Sequence, residues 1–322
     1  MRNSFFALLL LCSLFSCSKK KIEIHANEII TTTTERLNKV KFLNSQIGFI
    51  VGGEQYSKPV MLKTLDGGIT WNEVQLPLDN ERKEIYGFDI FPDGKIVTVG
   101  YGGTIFISND TGRTFQYIQH GSWRALKDVA FRNKDFSYIV GGIGFNSGHL
   151  SEFRTDGSGN NQFKTEYGFE IADIDFTDSE TAYMSGYGAI LKSVDGGITW
   201  DFTTAKNDFF KAMTWRNSLE GIAVGYEGSI QKTTNGGTTW KVIRNGNSIT
   251  KKKVHFLDIE QNGTGTFMVV GEYGCFFVSY DYGDTWKEGE KFTTKDLRGV
   301  AFSNLENCFV VGEGGSVFKP KL

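Results

Sequence analysis

The sequence predicts an all-β fold, a seven-bladed β-propeller of four-stranded antiparallel blades, and three observations predict it. Short runs rich in β-branched and aromatic residues fill the chain between glycine-rich turns. A β-rich stretch that ends in glycine recurs seven times, at spacings of 39 to 48 residues. The last repeat stops before its outermost strand, while a spare β-rich run, residues 22–30, precedes the first repeat.

The seven glycine-ended stretches define the repeating unit. A unit of about 40–45 residues with four short strands has the size of one propeller blade. A single blade cannot cover both of its own faces, whereas blades stacked around an axis cover one another. The stretches end at Gly52, Gly100, Gly141, Gly186, Gly225, Gly271 and Gly312.

The two ends of the chain predict how the ring closes. The seventh repeat has three β-rich stretches, so its sheet needs a fourth strand from elsewhere in the chain. We expect the N-terminal run 22–30 to supply that strand and complete the last blade. This pairing removes an open sheet edge and joins the two ends of the domain.

A second motif, Ser/Thr-x-Asp-x-Gly-x-Thr-Trp, matches the Asp-box, also called the BNR repeat. It occupies residues 64–71, 108–115, 193–200, 233–240 and 279–286, and a degenerate copy spans 155–163. We expect the acidic or amide side chain to accept backbone N–H groups within a hairpin turn, and the final aromatic ring to pack between blades. These structural residues are Asp66, Asp110, Asp195, Asn235 and Asp281, with Trp71, Phe115, Trp200, Trp240 and Trp286.

The N-terminus predicts export and lipidation. Arg2 precedes an apolar run, residues 5–15, which is too short to span a bilayer and indicates a signal peptide. The small Ser16 stands directly before Cys17, as in a lipobox, so Cys17 is the predicted lipidation site; ordinary cleavage near Ser16 is the alternative.

Three segments follow from this assignment. They are a lipoprotein signal peptide (1–16), a lipidated tether with the ring-closing strand (17–36) and the propeller (37–322). The expected location is the bacterial cell envelope, where the protein is lipid-anchored on the periplasmic side or at the cell surface.

Composition excludes some classes of function. The net charge is −2, which gives no basis for nucleic-acid binding. We expect Cys275 and Cys308 to be buried free thiols, because the aligned repeats place them at non-equivalent positions. The four histidines have no metal-ligand spacing and no phosphate-binding loop is present, so neither a metal nor a cofactor is predicted.

The combination of Val-Gly-x-x-Gly with Thr-x-Asp-Gly-Gly-x-Thr-Trp resembles the photosystem II stability/assembly factor propellers. Residues 225–233 followed by 235–240, and 298–302 followed by 311–315, carry the resemblance. It implies seven blades and a role in binding an early intermediate of a membrane protein complex through an arginine-rich patch. Here Arg36, Arg124 and Arg298 lie close to the starts of inner strands, in different registers.

We therefore expect a membrane-anchored, non-enzymatic propeller that binds an envelope protein or aids the assembly of a complex. The face formed by the Val-Gly-x-x-Gly turns and the connections between blades varies most among the repeats and is the predicted working surface. Exposed aromatic and cationic residues are favoured in interfaces. The candidates are Tyr56, Tyr101, Trp123, Arg124, Tyr187, Tyr226, Tyr273 and Arg298.

The alternative is a carbohydrate-active enzyme or glycan-binding propeller. Sialidases also carry Asp-boxes, but Phe153-Arg154 is not followed by the Ile-Pro of their motif, and they have six blades. Other glycoside hydrolases use two carboxylates across a cleft. This hypothesis depends on Asp89, Asp128, Asp173 and Asp175, which lie near the inner strands; the sequence favours a reading of them as solvated channel-end or turn-capping carboxylates.

Overall fold

The computed structural model describes residues 21–77, 83–144, 146–158, 163–206, 208–246, 248 and 253–322. Its seven antiparallel sheets of four strands form a closed ring, which confirms the predicted seven-bladed propeller. The predicted signal peptide and Cys17 lie outside the described residues. The described part of the chain contains four 3-10 turns of three residues each as its helical elements. None of these turns is long or apolar enough to span a membrane.

The strands follow one another from the channel outwards in each blade. Strand β1 (Ala26–Ile29) precedes blade 1, which contains β2 (Leu37–Phe42), β3 (Gly48–Gly53), β4 (Pro59–Thr64) and β5 (Asn72–Glu73). Blades 2 and 3 contain β6 (Ile85–Ile90), β7 (Ile96–Gly100), β8 (Thr104–Ser108), β9 (Gln116–Gln119), β10 (Leu126–Phe131), β11 (Phe136–Gly142), β12 (Gly148–Arg154) and β13 (Thr165–Tyr167).

Blades 4 and 5 contain β14 (Ile171–Phe176), β15 (Ala182–Gly186), β16 (Ala189–Ser193), β17 (Asp201–Phe202), β18 (Phe210–Trp215), β19 (Gly221–Gly225), β20 (Ile230–Thr233) and β21 (Lys241–Arg244). Blades 6 and 7 contain β22 (Phe256–Gln261), β23 (Phe267–Gly271), β24 (Phe276–Ser279), β25 (Lys287–Glu288), β26 (Leu297–Phe302), β27 (Cys308–Gly312) and β28 (Val317–Pro320).

The innermost strand of every blade has six residues and the same design. Its first and fourth residues are apolar and mostly buried, whereas its second, third and fifth residues supply the walls of the central channel. The register against the second strand shifts between the first and third residues in all seven blades. A bulge adds one residue locally and bends the strand, so two consecutive side chains reach the channel.

The hydrophobic core consists of seven clusters of buried residues, and each cluster joins two neighbouring blades. At the boundary of blades 7 and 1, Phe309 packs edge-on against Trp71, with 6.3 Å between ring centroids. Burial of apolar surface contributes about 25 cal/mol per Å². Because that burial lies between blades, each blade is stabilised mainly by its neighbours.

The repeated Asp motif forms a compact turn between the third and fourth strands. In blade 1, Asp66 accepts hydrogen bonds from the Thr70 backbone N–H (2.9 Å), the Thr70 hydroxyl (2.6 Å) and the Thr64 hydroxyl (2.7 Å). The two hydrogen bonds from Thr70 contribute most to lowering the pKa of Asp66 to about 2. Gly68 has φ of 88° and lies against the Phe309 ring, where a Cβ would clash at 2.4 Å, so only glycine fits.

The Asp110, Asp195 and Asp281 turns repeat this pattern. In the corresponding turn of blade 5, Asn235 replaces the aspartate. Its side-chain oxygen accepts the Thr239 N–H at 2.9 Å, and its side-chain NH2 group donates to the Thr239 hydroxyl at 2.9 Å. The aromatic residue that follows each turn packs against the preceding blade. The motif therefore joins turn geometry to packing between blades.

The N-terminal segment closes the ring, as predicted. Strand β1 pairs with β28, with Ala26 opposite Pro320 and Ile29 opposite Val317. Before it, Ile22 forms a parallel bridge with Gly289, and Ile24 is 6 % exposed in the cluster between blades 6 and 7. From residue 21 onwards, the segment predicted as tether and closing strand is thus bound to the outer edge of blades 6 and 7.

Both cysteines of the described chain are free and buried, as predicted. Cys308 lies on β27 opposite Phe302, the position that Gly48 and Gly221 occupy in blades 1 and 5. Cys275 lies at the start of the third strand of blade 6, where burial raises the pKa of its thiol to about 11. Neither sulfur is a reactive thiolate at neutral pH.

Replacing Ile24 with Ala should lower the free energy of unfolding by about 2–5 kcal/mol, because the side chain fills the cluster that closes the ring. Ile30→Ala is the matched control: Ile30 lies six residues away and is 92 % exposed, so its loss should change stability by less than about 0.5 kcal/mol. Guanidinium unfolding followed by tryptophan fluorescence measures both. Equal effects would show that the N-terminal segment does not hold the ring.

Candidate partner-binding face

The alternating strand directions place two kinds of loop on opposite faces of the disc. The turns between second and third strands and the connections between blades lie on one side, which we call the loop face. The Asp turns and the hairpins between first and second strands lie on the other, the Asp-box face. All eight candidate partner-binding residues belong to loops or strand ends of the loop face.

Three of the candidate tyrosines lie in 3-10 turns that follow the second strands. The turns are Tyr101–Gly103, Tyr226–Gly228 and Glu272–Gly274, and a fourth, Glu313–Gly315, carries no aromatic residue. The middle residue of each turn has positive φ, including Tyr273 at 55°. Non-glycine residues adopt this conformation rarely, so the turn orients the Tyr273 side chain at some local cost. Tyr273 is 62 % exposed.

The candidates differ in exposure, which partly corrects the sequence prediction. Besides Tyr273, the exposed side chains are Tyr56 (73 %), Trp123 (65 %) and Tyr187 (45 %). The Lys83 ammonium lies over the Trp123 ring, 4.8 Å from the ring centroid. Four candidates that were expected to be exposed are instead half-buried, because neighbouring rings or carboxylates cover them: Tyr101, Arg124, Tyr226 and Arg298.

The arginines of this face are held by carboxylates. Arg36 and Arg298 both contact Oε1 of Glu313, at 3.0 and 3.3 Å, although their registers differ. Arg36 also pairs with Glu84 at 3.3 Å. Arg124 lies apart from them, with Glu166 at 2.9 Å. Each arginine is therefore neutralised by a neighbour, and the three form no common basic patch.

The second residues of the inner strands form the channel mouth on the loop face. Three are cationic, Lys127, Lys211 and Arg298, and they line a cavity of about 140 Å³ together with Tyr86. Lys127 lies 3.7 Å from Glu170 and 4.8 Å from the Tyr86 ring centroid. These two lysines were not among the sequence candidates.

Lys211 is a cation of this mouth that no carboxylate contacts directly within the described part of the chain. Among the residues that the structure describes, its ammonium forms no hydrogen bond or ion pair, and the Phe209 ring centroid is 6.0 Å away. Burial lowers the pKa of Lys211 to about 8; the positive charges of Lys127 and Arg298 add to this shift, and the carboxylates of Glu170 and Asp173 oppose it. An anionic group entering the mouth would supply the missing partner.

A row of aromatic rings lies beside Lys211. Phe209 stacks on Tyr226 with 4.8 Å between centroids, and Tyr187 lies 5.8 Å from Phe209 on the other side. His255 meets Tyr226 edge-on at 4.4 Å. Phe209, Tyr226 and His255 come from three different connections, so the row crosses the boundaries of blades 4, 5 and 6. Tyr187, Tyr226 and His255 give an amphipathic contact surface near Lys211, and the buried Phe209 packs against Tyr187 and Tyr226.

Several channel carboxylates connect neighbouring blades, among them Asp89 and Asp173, two of the four on which the enzymatic alternative depends. Oδ2 of Asp173 accepts the backbone N–H of Met213 in the next blade at 2.7 Å, and Asp258 accepts that of Val300 at 2.9 Å. Asp89 does the same for Phe131 at 2.9 Å. Lone pairs used in this way hold neighbouring inner strands together.

Lys39 crosses the channel below the mouth. Its ammonium lies 3.1 Å from both carboxylate oxygens of Asp128 on blade 3 and 3.6 Å from Asp173 on blade 4. Burial opposes its charge, but Asp128, Asp173 and Asp258 hold the pKa of Lys39 well above its usual value. A second cavity of about 140 Å³ lies deeper, around Asp175 and Glu260.

The structure defines a seven-bladed β-propeller, and comparison with known proteins identifies its relatives. No protein-family model matches the chain. It is 22 % identical over 201 residues to the photosystem II assembly lipoprotein Ycf48 of Synechococcus sp. (strain CC9902), over 59 % of this chain and 57 % of that protein. The match to Ycf48 of Prochlorococcus marinus (strain MIT 9313) is 25 % over 91 residues, 28 % of this chain and 26 % of that protein. The alignments thus span at most just over half the length of these relatives.

Solved structures agree on the fold. YCF48 bound to a D1 peptide superposes with a TM-score of 0.70 at 16 % identity, over 94 % of this chain and 98 % of that one. YCF48 from Cyanidioschyzon merolae gives 0.69 at 15 %, over 91 % and 98 %. The RRP9 WD40 repeats give 0.71 at only 10 %, over 93 % and 100 %. The predicted resemblance to photosystem II assembly factor propellers is confirmed.

Asp175→Asn should stabilise the protein more at pH 8 than at pH 5. Burial raises the pKa of Asp175 to about 8, against the attraction of Lys41. In the unfolded chain the pKa of this carboxyl is near 3.9. Ionisation therefore favours the unfolded state from about pH 4 upwards, and the resulting loss of stability grows until about pH 8. Thermal unfolding at both pH values measures the effect. Asp201→Asn, an exposed acid on the outermost strand of the same blade, is the control and should change little. A gain independent of pH would contradict the assignment.

Proposed function

We propose that this protein is a bacterial envelope lipoprotein, anchored through Cys17, whose propeller binds a membrane-protein partner on its loop face and aids the assembly of a complex without catalysing a reaction. The observation that carries the proposal is Lys211, a half-buried, unpaired ammonium at the channel mouth beside a row of aromatic rings. The proposed ligand is an extended peptide segment of the partner that bears a carboxylate.

The chemistry of the mouth favours such a segment. A carboxylate next to Lys211 forms a charge-assisted hydrogen bond, which is stronger than a neutral one. Tyr187, Tyr226 and His255 offer ring faces and edges to the flanking side chains of the peptide, and aromatic anchors dominate many interfaces. The cavity of about 140 Å³ accommodates one small group and not a folded domain. The rest of the partner would lie across the loop face.

The relatives support this reading. The curated relatives are named as assembly lipoproteins, and one solved YCF48 structure contains a D1 peptide. A non-enzymatic, membrane-associated role for the present chain is consistent with both. Because identity is low and the alignments are partial, the partner proposed here is defined by its chemistry and location, an envelope membrane protein with an accessible acidic segment.

The carbohydrate-active alternative gains no support from the channel. Asp173 and Asp258 each accept a backbone N–H from a neighbouring blade, and Asp128 accepts a hydrogen bond from Lys39. Arg154, the residue closest to the sialidase motif, is at the end of β12 and pairs with Asp156 at 3.6 Å on the Asp-box face. The carboxylates and this arginine therefore lie on different parts of the disc.

Lys211→Gln should weaken binding of the partner about tenfold or more, because a buried charge-assisted hydrogen bond contributes about 1.5–3 kcal/mol. The tagged, acylated protein is first used to capture its stoichiometric partner from the native envelope. Affinity for the purified partner is then measured by biolayer interferometry.

Lys241→Gln is the matched control for that experiment, since Lys241 is an exposed lysine on the outermost strand of the same blade. It should leave affinity unchanged. Alanine at Trp123, Arg124 and Arg298 together should also reduce binding if the whole loop face is used. Equal affinities for the wild type, Lys211→Gln and the triple variant would contradict the proposed face.

A further inference from the structure

Two buried histidines adjoin the connection between blades 2 and 3, residues 120–125, which carries Trp123 on the loop face. His120 begins this connection, and His149 lies on β12 opposite Gly141. The other six blades have a smaller side chain at the position of His149: Val60, Thr104, Ala189, Ser229, Cys275 and Ser316. The packing of the repeat therefore does not require a histidine there.

Both members of this histidine pair, His120 and His149, are fully buried. Their rings pack against Phe163, with centroid distances of 5.1 Å for His120 and 4.0 Å for His149. Among the described residues, neither nitrogen of the His149 ring has a hydrogen-bond partner, and the ion pairs that histidines form belong to His25 and His255. A buried polar group without a partner costs stability, and a charge at that place costs far more.

His120 holds the start of the connection in place through its neutral form. Its Nδ1 accepts the Ser122 backbone N–H at 3.2 Å and lies 3.1 Å from the Ser122 hydroxyl, while Nε2 lies 3.2 Å from the Ser151 hydroxyl. The His120 backbone N–H donates to the Gly103 carbonyl at 2.8 Å. A protonated Nδ1 has no lone pair for the Ser122 N–H. Protonation of His120 therefore breaks a bond that fixes the chain just before Trp123.

The charged groups around the pair do not compensate a proton on His149. Glu166 on β13 is opposite His149 in the sheet, but its side chain is 62 % exposed and pairs with Arg124 at 2.9 Å. Lys127 on β10 and Lys83, which lies over a ring of the same connection, are further cations. The proton would thus enter a region that is rich in positive charge.

The closed connection favours the neutral form of both histidines. Burial lowers the pKa of His149 to about 3, and the positive charges of His120, Arg124 and Lys127 add to this shift. Burial also lowers the pKa of His120, against a smaller opposing effect of the Ser122 backbone. In an opened chain the pKa of histidine is near 6.5, so opening takes up protons that the closed form excludes. The stability of the closed form is therefore complete above about pH 6.5 and is lost as the pH falls towards 3. At pH 5 the opening equilibrium rises about 30-fold for His149 alone.

We propose that His120 and His149 form a pH switch for the loop face: with both rings neutral, residues 120–125 hold Trp123 and Arg124 in place, and protonation opens the connection and weakens partner binding. The opening itself is a property of the histidine pair and its surroundings. Only its effect on a partner rests on the proposed function, so the two are tested by separate measurements.

Hydrogen exchange of the intact protein, followed by mass spectrometry at pH 7.5 and pH 5.0, measures the opening once the intrinsic effect of pH on exchange is corrected. The protection factor over residues 120–125 should fall at least about 30-fold between these pH values. The connection between blades 6 and 7, residues 289–296, contains no histidine and should change less than about threefold. A constant protection factor over 120–125, or equal falls in both connections, would overturn the switch.

His149→Phe retains an aromatic ring and removes the titrating group, so it should eliminate most of the fall in protection. The double variant with His120→Asn should reduce the fall to less than about threefold. His25→Phe is the matched control: its side chain is 80 % exposed, and the variant should keep the wild-type fall. His149→Leu replaces the first variant should that one fail to fold. An undiminished fall in a folded His149 variant would contradict the assignment.

Affinity for the purified partner, measured at the same two pH values, tests the consequence for binding. Wild-type binding should weaken at least about tenfold at pH 5.0, and binding by His149→Phe less than about threefold. Lys211 becomes more fully charged as the pH falls, so the channel mouth alone predicts no such loss. Failure to bind at either pH would contradict the proposed function and leave the opening, measured by exchange, intact. A wild-type affinity independent of pH would overturn the control of binding by the switch.

Discussion

Packing between neighbouring blades is the interaction on which the rest of this structure depends. All seven core clusters cross a blade boundary, so no blade has a core of its own. A ring of such units is stable only if its last boundary also closes, and β1 provides that closure by pairing with β28. The same closed ring brings seven inner strands to one channel, which is what places Lys211 beside Lys127 and Arg298.

The channel shows how a single fold divides its charges between structure and binding. Carboxylates at the third strand position, such as Asp173 and Asp258, bind the next blade, and Lys39 bridges across to Asp128. At the second position, one residue nearer the loop face, Lys211 is left without a partner. A charge that is desolvated and unpaired costs stability, and such a cost is typical of sites that await a ligand. The Asp-box motif, which is so prominent in the sequence, contributes only to turns and packing.

Much of the fold was predictable because its signals are local and repeated. The glycine-ended second strands, the Asp turns and the missing strand of the last blade each appear in the sequence, and the glycines Gly68 and Gly197 adopt the positive φ expected of them. The site was less predictable, because repeats describe a blade and not contacts across the ring. Arg36 and Arg298 are distant in sequence and differ in register, yet they meet on Glu313. Lys211 carried one available signal, its second position in the inner strand, which only an alignment of all seven inner strands reveals.

The central claim, that the loop face binds an envelope membrane protein, is tested most directly by photocrosslinking in the intact envelope. A photoreactive amino acid replaces Tyr226 on the loop face in one strain and Ile198 on the Asp-box face in another. The account predicts one dominant crosslinked membrane protein from position 226 and none from position 198. Crosslinks to the same protein from position 198 alone, or no crosslink from position 226 while the protein is anchored and folded, would contradict it.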